Sequence, residues 1–291
     1  MLNSRPKYLD PQTDFGFKRL LTTDTNKDLL IGFLNEVLSG ERRIADIVYN
    51  QNEWRGSAAH KKRVIFDLLC TDENGGQFLV EMQRLAQPSF KSRVLYYASM
   101  LITEQLQPGR KRVDEYVLLP LHFIAIMGFK IAEMEEQCIE NVGLCSTRSG
   151  VIFDKGLRFT YICLPNFRKE EGQLSSKLDH WLYIFKHLAT LQHQPDAISD
   201  PLFNKLFKIA EYNQLTAEEK LMYDQDLKIE RATRNAEYGI REEGKLEGIL
   251  EGKLAARVEI ATELLKLKLS LSQVSAVSGV SIEDLNRMVE R

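Results

Sequence analysis

The most constraining stretch of the chain is residues 64–85, VIFDLLCTDENGGQFLVEMQRL, in which two apolar runs flank a polar turn. Val, Ile, Leu and Phe on both sides of Asn-Gly predict two paired antiparallel strands. Asp67, Glu81 and Gln83 interrupt the apolar runs. Because a buried and unpaired charge is costly, the presence of these three residues among apolar ones raises the question of what they do.

The register of the hairpin decides whether these polar side chains meet, because side chains alternate between the two faces of a sheet. A two-residue turn at 74–75 would place Asp67 on the face opposite Glu81 and Gln83. A three-residue loop at 74–76 would place all three on one face. We predict this loop, or an equivalent bulge, because its second glycine suits the left-handed position of a three-residue hairpin.

Two carboxylates on one face repel each other, and a divalent cation would relieve that repulsion. Hard oxygen ligands suit Mg²⁺ or Mn²⁺, so Asp67, Glu81 and a strand carbonyl form a candidate metal site. Such an ion could polarise a phosphodiester and activate water, and Gln83 could position the water or a phosphate oxygen. The alternative is a partly exposed hairpin whose polar side chains face water.

The flanking pattern predicts an α/β fold with a three-strand antiparallel meander and helices around a mixed sheet. A short helix at 15–21, capped by Asp14, is followed by an amphipathic helix that ends before Gly40. The other predicted elements are three strands in RIADIVYNQNEW, RVIFDLLCTD and GQFLVEMQRL, a helix between Pro88 and Pro108, and buried strands in HFIAIMGFKI and RFTYICLPNF.

The sequence changes after Phe167 from strand-like apolar runs to helical periodicity, and we divide the chain shortly after that residue. Residues 1–170 form the α/β domain, 171–215 a helical extension packed on it, 216–269 a long charged helix, and 270–291 a small helical tail.

Gly244, Gly248 and Gly252 lie four residues apart within the long charged helix. This spacing places them on one helix face, where a second helix could approach closely. The interpretations are a dimer formed through the C-terminal helices or a solvated helix with local duplication. In the tail, Ser272 and Ser281 are candidate caps and Gly279 a turn, which fits either a DNA-reading helix-turn-helix or a packing module.

The formal net charge of −2 provides no overall attraction to nucleic acid. Contacts to DNA would therefore depend on local basic patches such as 61–63 and 110–112. The five histidines form no zinc-binding pair, and the four cysteines form no CxxC motif. The first residues contain no apolar signal core and no uncharged run reaches the length of a membrane span, so we expect a cytoplasmic protein without membrane contact.

The order D67…E81-x-Q83 after an αβββ opening resembles the PD-(D/E)xK nuclease superfamily, and specifically its Rpn family of recombination-promoting nucleases and transposases. The resemblance covers DFGFKRLL, FLNEVL, FDLLCTDENGGQFLVEMQ and RVLYYASMLITEQL, to about residue 170. It implies that Asp67 and Glu81 bind the metal and that Gln83 occupies the position where most of the superfamily has lysine. Arg93 and Tyr97 match the basic and aromatic pair that follows the motif.

The resemblance also implies roles outside the hairpin. Arg93 would contact phosphate or brace the acids, the alternative being a salt bridge on the helix surface. Asp14 and Lys18 match the family's opening D-x-x-F-K. Glu36 is either an auxiliary acid or solvent-facing. The candidate DNA-binding residues are Lys18, Lys61, Lys62 and Arg63.

The resulting functional prediction is a Mg²⁺-dependent DNA endonuclease that hydrolyses phosphodiester bonds in recombination or transposition-like processes. Asp67, Glu81, Gln83, Arg93 and Tyr97 are its predicted catalytic residues. One alternative is a catalytically inactive DNA-binding or interaction protein that retains a nuclease fold. Another is a nuclease that acts as a defence toxin.

Overall fold

The computed structural model describes residues 6–38, 43–51, 53–54, 64–105, 117–134 and 136–289. The α-helices, numbered α1 to α8 in chain order, are Asp14–Leu21, Lys27–Leu38, Phe90–Gln105, Lys177–His187, Pro201–Ala210, Ala217–Lys266, Leu271–Ser278 and Ile282–Val289. The strands, numbered β1 to β8, are Ile47–Tyr49, Glu53–Trp54, Val64–Ile65, Leu68–Asp72, Gln77–Gln83, Leu121–Met127, Ile139–Cys145 and Ile152–Cys163.

Within the described residues, six of the strands form one mixed sheet in the order β1-β4-β5-β6-β8-β7. β1, β4 and β5 are antiparallel, and β6 and β8 continue the sheet in parallel to β5. The helix α3 connects β5 to β6, which allows these neighbouring strands to run in the same direction. The predicted α/β class with an antiparallel meander is confirmed. The stretch RIADIVYNQNEW, however, contains two strands, since β2 pairs with β3 outside this sheet.

The edge strand β7 was missed by the sequence prediction. Glu140, Asn141 and Gly143 lower its strand propensity, and its residues from 141 to 145 are exposed. With the first half of β8 it forms an antiparallel ribbon whose far end carries Phe153, 87% exposed. Only tertiary pairing with β8 reveals this strand, because its sequence has no regular alternation of apolar and polar residues.

The two faces of the sheet are covered by separate hydrophobic clusters. One cluster packs α1, α2, α4 and α5 on one face, and the other packs α3 on the opposite face. Along β5, Phe78 and Val80 belong to the first cluster and Leu79 to the second. Since side chains alternate along a strand, Glu81 points to the face that α3 covers.

The loop of the β4–β5 hairpin begins one residue earlier than predicted. Its three residues are 73–75, because Asp72 N donates to Gly76 O at 2.9 Å and closes the loop. Gly75, with φ of 82°, occupies the left-handed position that we expected at Gly76. The reason is the Asp72 carboxylate, which accepts from the backbone N–H groups of Asn74 at 3.0 Å and Gly76 at 2.8 Å. The predicted loop at 74–76 is therefore wrong.

The observed register nevertheless preserves the face of each residue. Leu68 pairs with Val80, so the next position of the ladder places Asp67 opposite Glu81. Moving the loop by one residue shifts the pairing by two positions, which leaves every side chain on its predicted face.

The chain divides into two compact units, Met1–Lys228 and Ile229–Arg291. In the second unit, α7 and α8 pack on the end of α6 through Ala261, Val274, Val280 and Leu285. Gly279 makes the predicted turn with φ of 70°. Ser281 caps α8 as predicted, but α7 is capped by Ser270 instead of Ser272. Among the described residues, every helix is too short or too polar to cross a bilayer.

Candidate active site

Two hydrogen bonds hold Asp67 against the strand that carries Glu81, one to Glu81 itself and one to Met82. The backbone N–H of Asp67 donates to Glu81 Oε1 at 3.2 Å, and Asp67 Oδ2 accepts from the backbone N–H of Met82 at 2.9 Å. Glu81 is only 6% exposed. The structure therefore brings the two carboxylates together in a largely dry environment, on the face predicted for both.

This environment keeps a proton on the acid pair near neutral pH. Burial raises the pKa of Glu81 to about 8, and repulsion by Asp67 adds to the effect. Burial likewise raises the pKa of Asp67 to about 6, opposed in part by the hydrogen bond from Met82. Two such coupled groups titrate as a pair, so a bound cation would have to displace a proton to restore both charges.

The donor set fits a hard divalent cation. Among the described residues, no group of three or more His, Cys, Asp or Glu side chains lies close enough to hold a metal. Two carboxylates still suffice for Mg²⁺, which usually keeps several waters and takes its other ligands from substrate phosphates. Asp67 and Glu81 are the residues that would hold such an ion.

Gln83 points to the same face, and both ends of its amide bind neighbouring groups. Its Oε1 accepts a short hydrogen bond from Arg93, and its Nε2 donates to Leu85 O at 3.0 Å. Arg93 also donates to Gln87. In this arrangement Gln83 orients the guanidinium of Arg93.

Arg93 supplies positive charge to the site from α3. Its electrostatic effect lowers the pKa of both Asp67 and Glu81 against the larger effect of burial. Its guanidinium carbon lies 6.0 Å from the ring centre of Tyr97 and 5.9 Å from that of Phe90. These contacts hold Arg93 beside the acid pair, where an incoming phosphate would need a cation.

Tyr97 completes the α3 side of the site. Its ring packs edge-on against Phe66, with centroids 5.2 Å apart. Burial raises the pKa of its phenol, and the nearby carboxylate of Glu81 raises it further. The phenol therefore stays protonated at neutral pH and can act as a hydrogen-bond donor.

On the opposite side, α1 presents Asp14 and Lys18 to the acid pair. Thr13 caps this helix by accepting from Gly16 N at 3.0 Å, so the predicted cap role of Asp14 is wrong. Asp14 instead pairs with Lys18, with Oδ1 and Nζ 2.7 Å apart. Asp14 raises the pKa of Asp67 and Lys18 lowers it, both less than burial does.

Of the remaining candidates, the structure describes only Glu36. Glu36 lies on α2 and exerts its electrostatic effect on Lys177 and His180 of α4. Lys61, Lys62 and Arg63 lie outside the described residues, as does the basic segment 110–112.

Sequence reasoning missed the contacts that hold α1 in place. The first turns of α6 supply three of them. Asp226 Oδ2 accepts from Phe15 N at 3.0 Å, and Tyr223 Oη accepts from Asp10 N at 2.8 Å. Glu219 forms an ion pair with Arg19 at 2.5 Å. These partners are about 200 residues apart along the chain, and no local pattern indicates such a pairing.

A family model covers most of the chain. The model described as PD-(D/E)XK nuclease family transposase matches residues 11–239 of this chain. The match includes α1, the acid-bearing hairpin, α3 and the first turns of α6. No curated protein and no solved structure matched the chain.

Proposed function

Because the chain belongs to the PD-(D/E)XK nuclease family transposases, we propose that it is a divalent-metal-dependent DNA endonuclease. The observation that carries this proposal is the buried pair of Asp67 and Glu81, which retains a proton and lies beside the cation of Arg93. Burial and mutual repulsion oppose ionisation of both carboxyls, and a bound divalent cation would relieve that repulsion.

Asp67 and Glu81 would hold Mg²⁺ or Mn²⁺, and the ion would supply Lewis-acid chemistry to the phosphodiester. Arg93 binds a nonbridging phosphate oxygen and stabilises the charge that develops there. Gln83 fixes the orientation of Arg93 through its amide oxygen. Tyr97 donates a hydrogen bond from its phenol, and Lys18 neutralises a neighbouring phosphate of the DNA strand.

Plasmid cleavage in the presence of Mg²⁺ or Mn²⁺ tests the proposal. We expect Glu81→Gln and Asp67→Asn to lose cleavage, because each removes one of the two charges that hold the ion. The matched control is Glu36→Gln, an acid of the same unit that faces α4, and it should cleave like the wild type. Equal cleavage by wild type and Glu81→Gln would refute the assignment.

Calorimetric titration with Mn²⁺ distinguishes this enzyme from an inactive DNA-binding protein. The inactive alternative is favoured by one observation, that the residue in the usual lysine position is an amide engaged by Arg93 and Leu85. An active site should bind Mn²⁺ in the wild type and not in Glu81→Gln. A retained but inactive fold should bind DNA without binding the ion.

We further propose that the enzyme acts as a homodimer through its C-terminal helices in recombination or transposition-like reactions. Nothing lies within 4 Å of where a Cβ at Gly244, Gly248 or Gly252 would sit, so this face of α6 is open among the described residues. In this proposal residues 1–170 carry the catalysis, 171–215 support them, 216–269 associate, and 270–291 form the tail. A DNA substrate and four unpaired cysteines fit a cytoplasmic protein.

A further inference from the structure

An exposed aromatic side chain lies beside the candidate active site. Tyr96, on α3, is 40% exposed, whereas its neighbour Tyr97 is half-buried. Tyr96 follows Arg93 by three residues, and this spacing makes the two side chains neighbours on the helix surface. The aromatic ring is therefore presented to solvent next to the cation proposed to bind phosphate.

Tyr96 also belongs to the electrostatic surroundings of the site. Its ring centroid lies 6.4 Å from that of Tyr97, with the planes tilted by 51°. The pKa of Tyr97 is raised mainly by burial, and Glu81, Asp67 and Tyr96 each raise it further. One phenol thus lies within electrostatic reach of both the acid pair and Tyr96.

Packing of the core does not explain Tyr96. Phe66 packs on Tyr97, and Phe90 packs on Phe129 and Tyr161. Among the described residues, Tyr97 provides the only ring contact to Tyr96. The ring of Tyr96 therefore has room for a planar group of a ligand.

We propose that Tyr96 stacks on a base next to the scissile phosphate, so that the preferred substrate has an unpaired nucleotide there. This inference rests on the proposed nuclease function. An aromatic ring can stack only on a base whose face is uncovered, and in a continuous duplex both faces are covered by neighbouring bases. Single strands, bubbles and extruded nucleotides provide such a base, and stacking on it is tolerant of sequence.

Three substrates of one sequence test the proposal, namely a single strand, a duplex with a short unpaired bubble and a fully paired duplex. We expect the wild type to cleave the first two faster than the third. Tyr96→Ala should lower kcat/KM on the unpaired substrates by about 5- to 150-fold, the range of one lost base–aromatic stack, and leave the paired duplex nearly unchanged. Tyr96→Phe keeps the ring and should cleave like the wild type.

Leu95→Ala is the matched control, because Leu95 is 61% exposed on the same helix but points away from Arg93. It should behave like the wild type on all three substrates. If Tyr96→Ala matches the wild type on unpaired substrates, or if it loses paired and unpaired cleavage equally, the stacking proposal is wrong. Cleavage that still depends on Glu81 would in that case leave the nuclease function standing.

Photocrosslinking provides a readout that does not depend on cleavage. A single strand carrying 5-iodouracil should crosslink to Tyr96 of the wild-type protein, as located by mass spectrometry, and should lose this crosslink in Tyr96→Ala. A crosslink at Tyr96 without any cleavage would support base stacking and reject the nuclease function. Absence of a crosslink at Tyr96 in DNA-bound protein would overturn the stacking proposal.

Discussion

The Glu81→Gln substitution should stabilise the metal-free protein at neutral and alkaline pH. Glutamine keeps an oxygen that can accept the hydrogen bond from Asp67 N, now at 3.2 Å, but it carries no charge into the buried site. The wild-type carboxylate must either ionise against burial and the repulsion of Asp67 or remain protonated. The substitution removes both of these costs.

The magnitude follows from the pKa of Glu81, which moves from its ordinary 4.5 to about 8. At 1.36 kcal/mol per pKa unit, this shift corresponds to about 5 kcal/mol when the group is fully ionised. Burial contributes more to this shift than repulsion by Asp67 does, and the two carboxyls titrate as a pair. We therefore expect Glu81→Gln to recover stability on the order of a few kcal/mol.

The sign of the pH dependence follows from the direction of the shift. Below pH 4.5 the carboxyl of Glu81 is protonated in both the folded and the unfolded states, so the wild type retains its full stability there. As the pH rises toward 8, the unfolded state ionises more readily than the folded state, and the free energy of unfolding falls. The metal-free wild type should therefore lose stability relative to Glu81→Gln between about pH 4.5 and pH 8.

Urea unfolding in EDTA at several pH values measures this effect. Trp181 is fully buried in the core of the first unit and contributes a fluorescence signal of its unfolding. Glu36→Gln is the control and should follow the wild-type pH profile. Mn²⁺ should restore stability to the wild type only, since ions that bind the folded state stabilise it. Parallel pH profiles for wild type and Glu81→Gln would refute the reasoning.

Three further predictions concern the surroundings of the acid pair and the long helix. Arg93→Ala should reduce the rate of cleavage by about 100-fold, in the range for a lost transition-state donor. Arg93→Lys should recover only part of that rate, because lysine lacks the planar fork that binds Gln83 and phosphate together. Single-turnover kinetics measure both variants. Asp226→Ala should lower the free energy of unfolding by about 2 kcal/mol, because it removes a charged acceptor from Phe15 N. Thermal unfolding measures this loss, and a cleavage assay should show that activity falls as well. Gly248→Arg should convert a dimer to a monomer in light scattering after size exclusion, because it places a bulky cation on the open face of α6.

The hairpin was predictable because its information is local. Apolar runs, the three-residue loop that two successive glycines favour and the two-residue period of a strand are sufficient to place Asp67 and Glu81 on one face. The exact loop was not predictable from the same pattern, because the side chain of Asp72 competes for the turn and moves it by one residue. The predicted face of each side chain is still correct, because that shift preserves the alternation of faces.

The surroundings of the acid pair were less predictable because they depend on tertiary contacts. The sequence indicated that Arg93 and Tyr97 lie one helical turn apart, but it did not show that Arg93 binds Gln83. Glu36 has the residue type of an auxiliary acid, and only the packing of α2 on α4 directs it elsewhere. Residue type and spacing therefore predicted candidates, and packing selected among them.

The contacts of α6 provide a physical reason for the extent of the family match, which continues to residue 239 although the sheet ends at Cys163. Asp14 and Lys18 act on the acid pair from α1, and α1 is itself held by Glu219 and Asp226 of α6. A chain that ended after the sheet would keep both carboxylates but lose the support of one wall of the site. The first turns of α6 thus support the site structurally, through the contacts that hold α1.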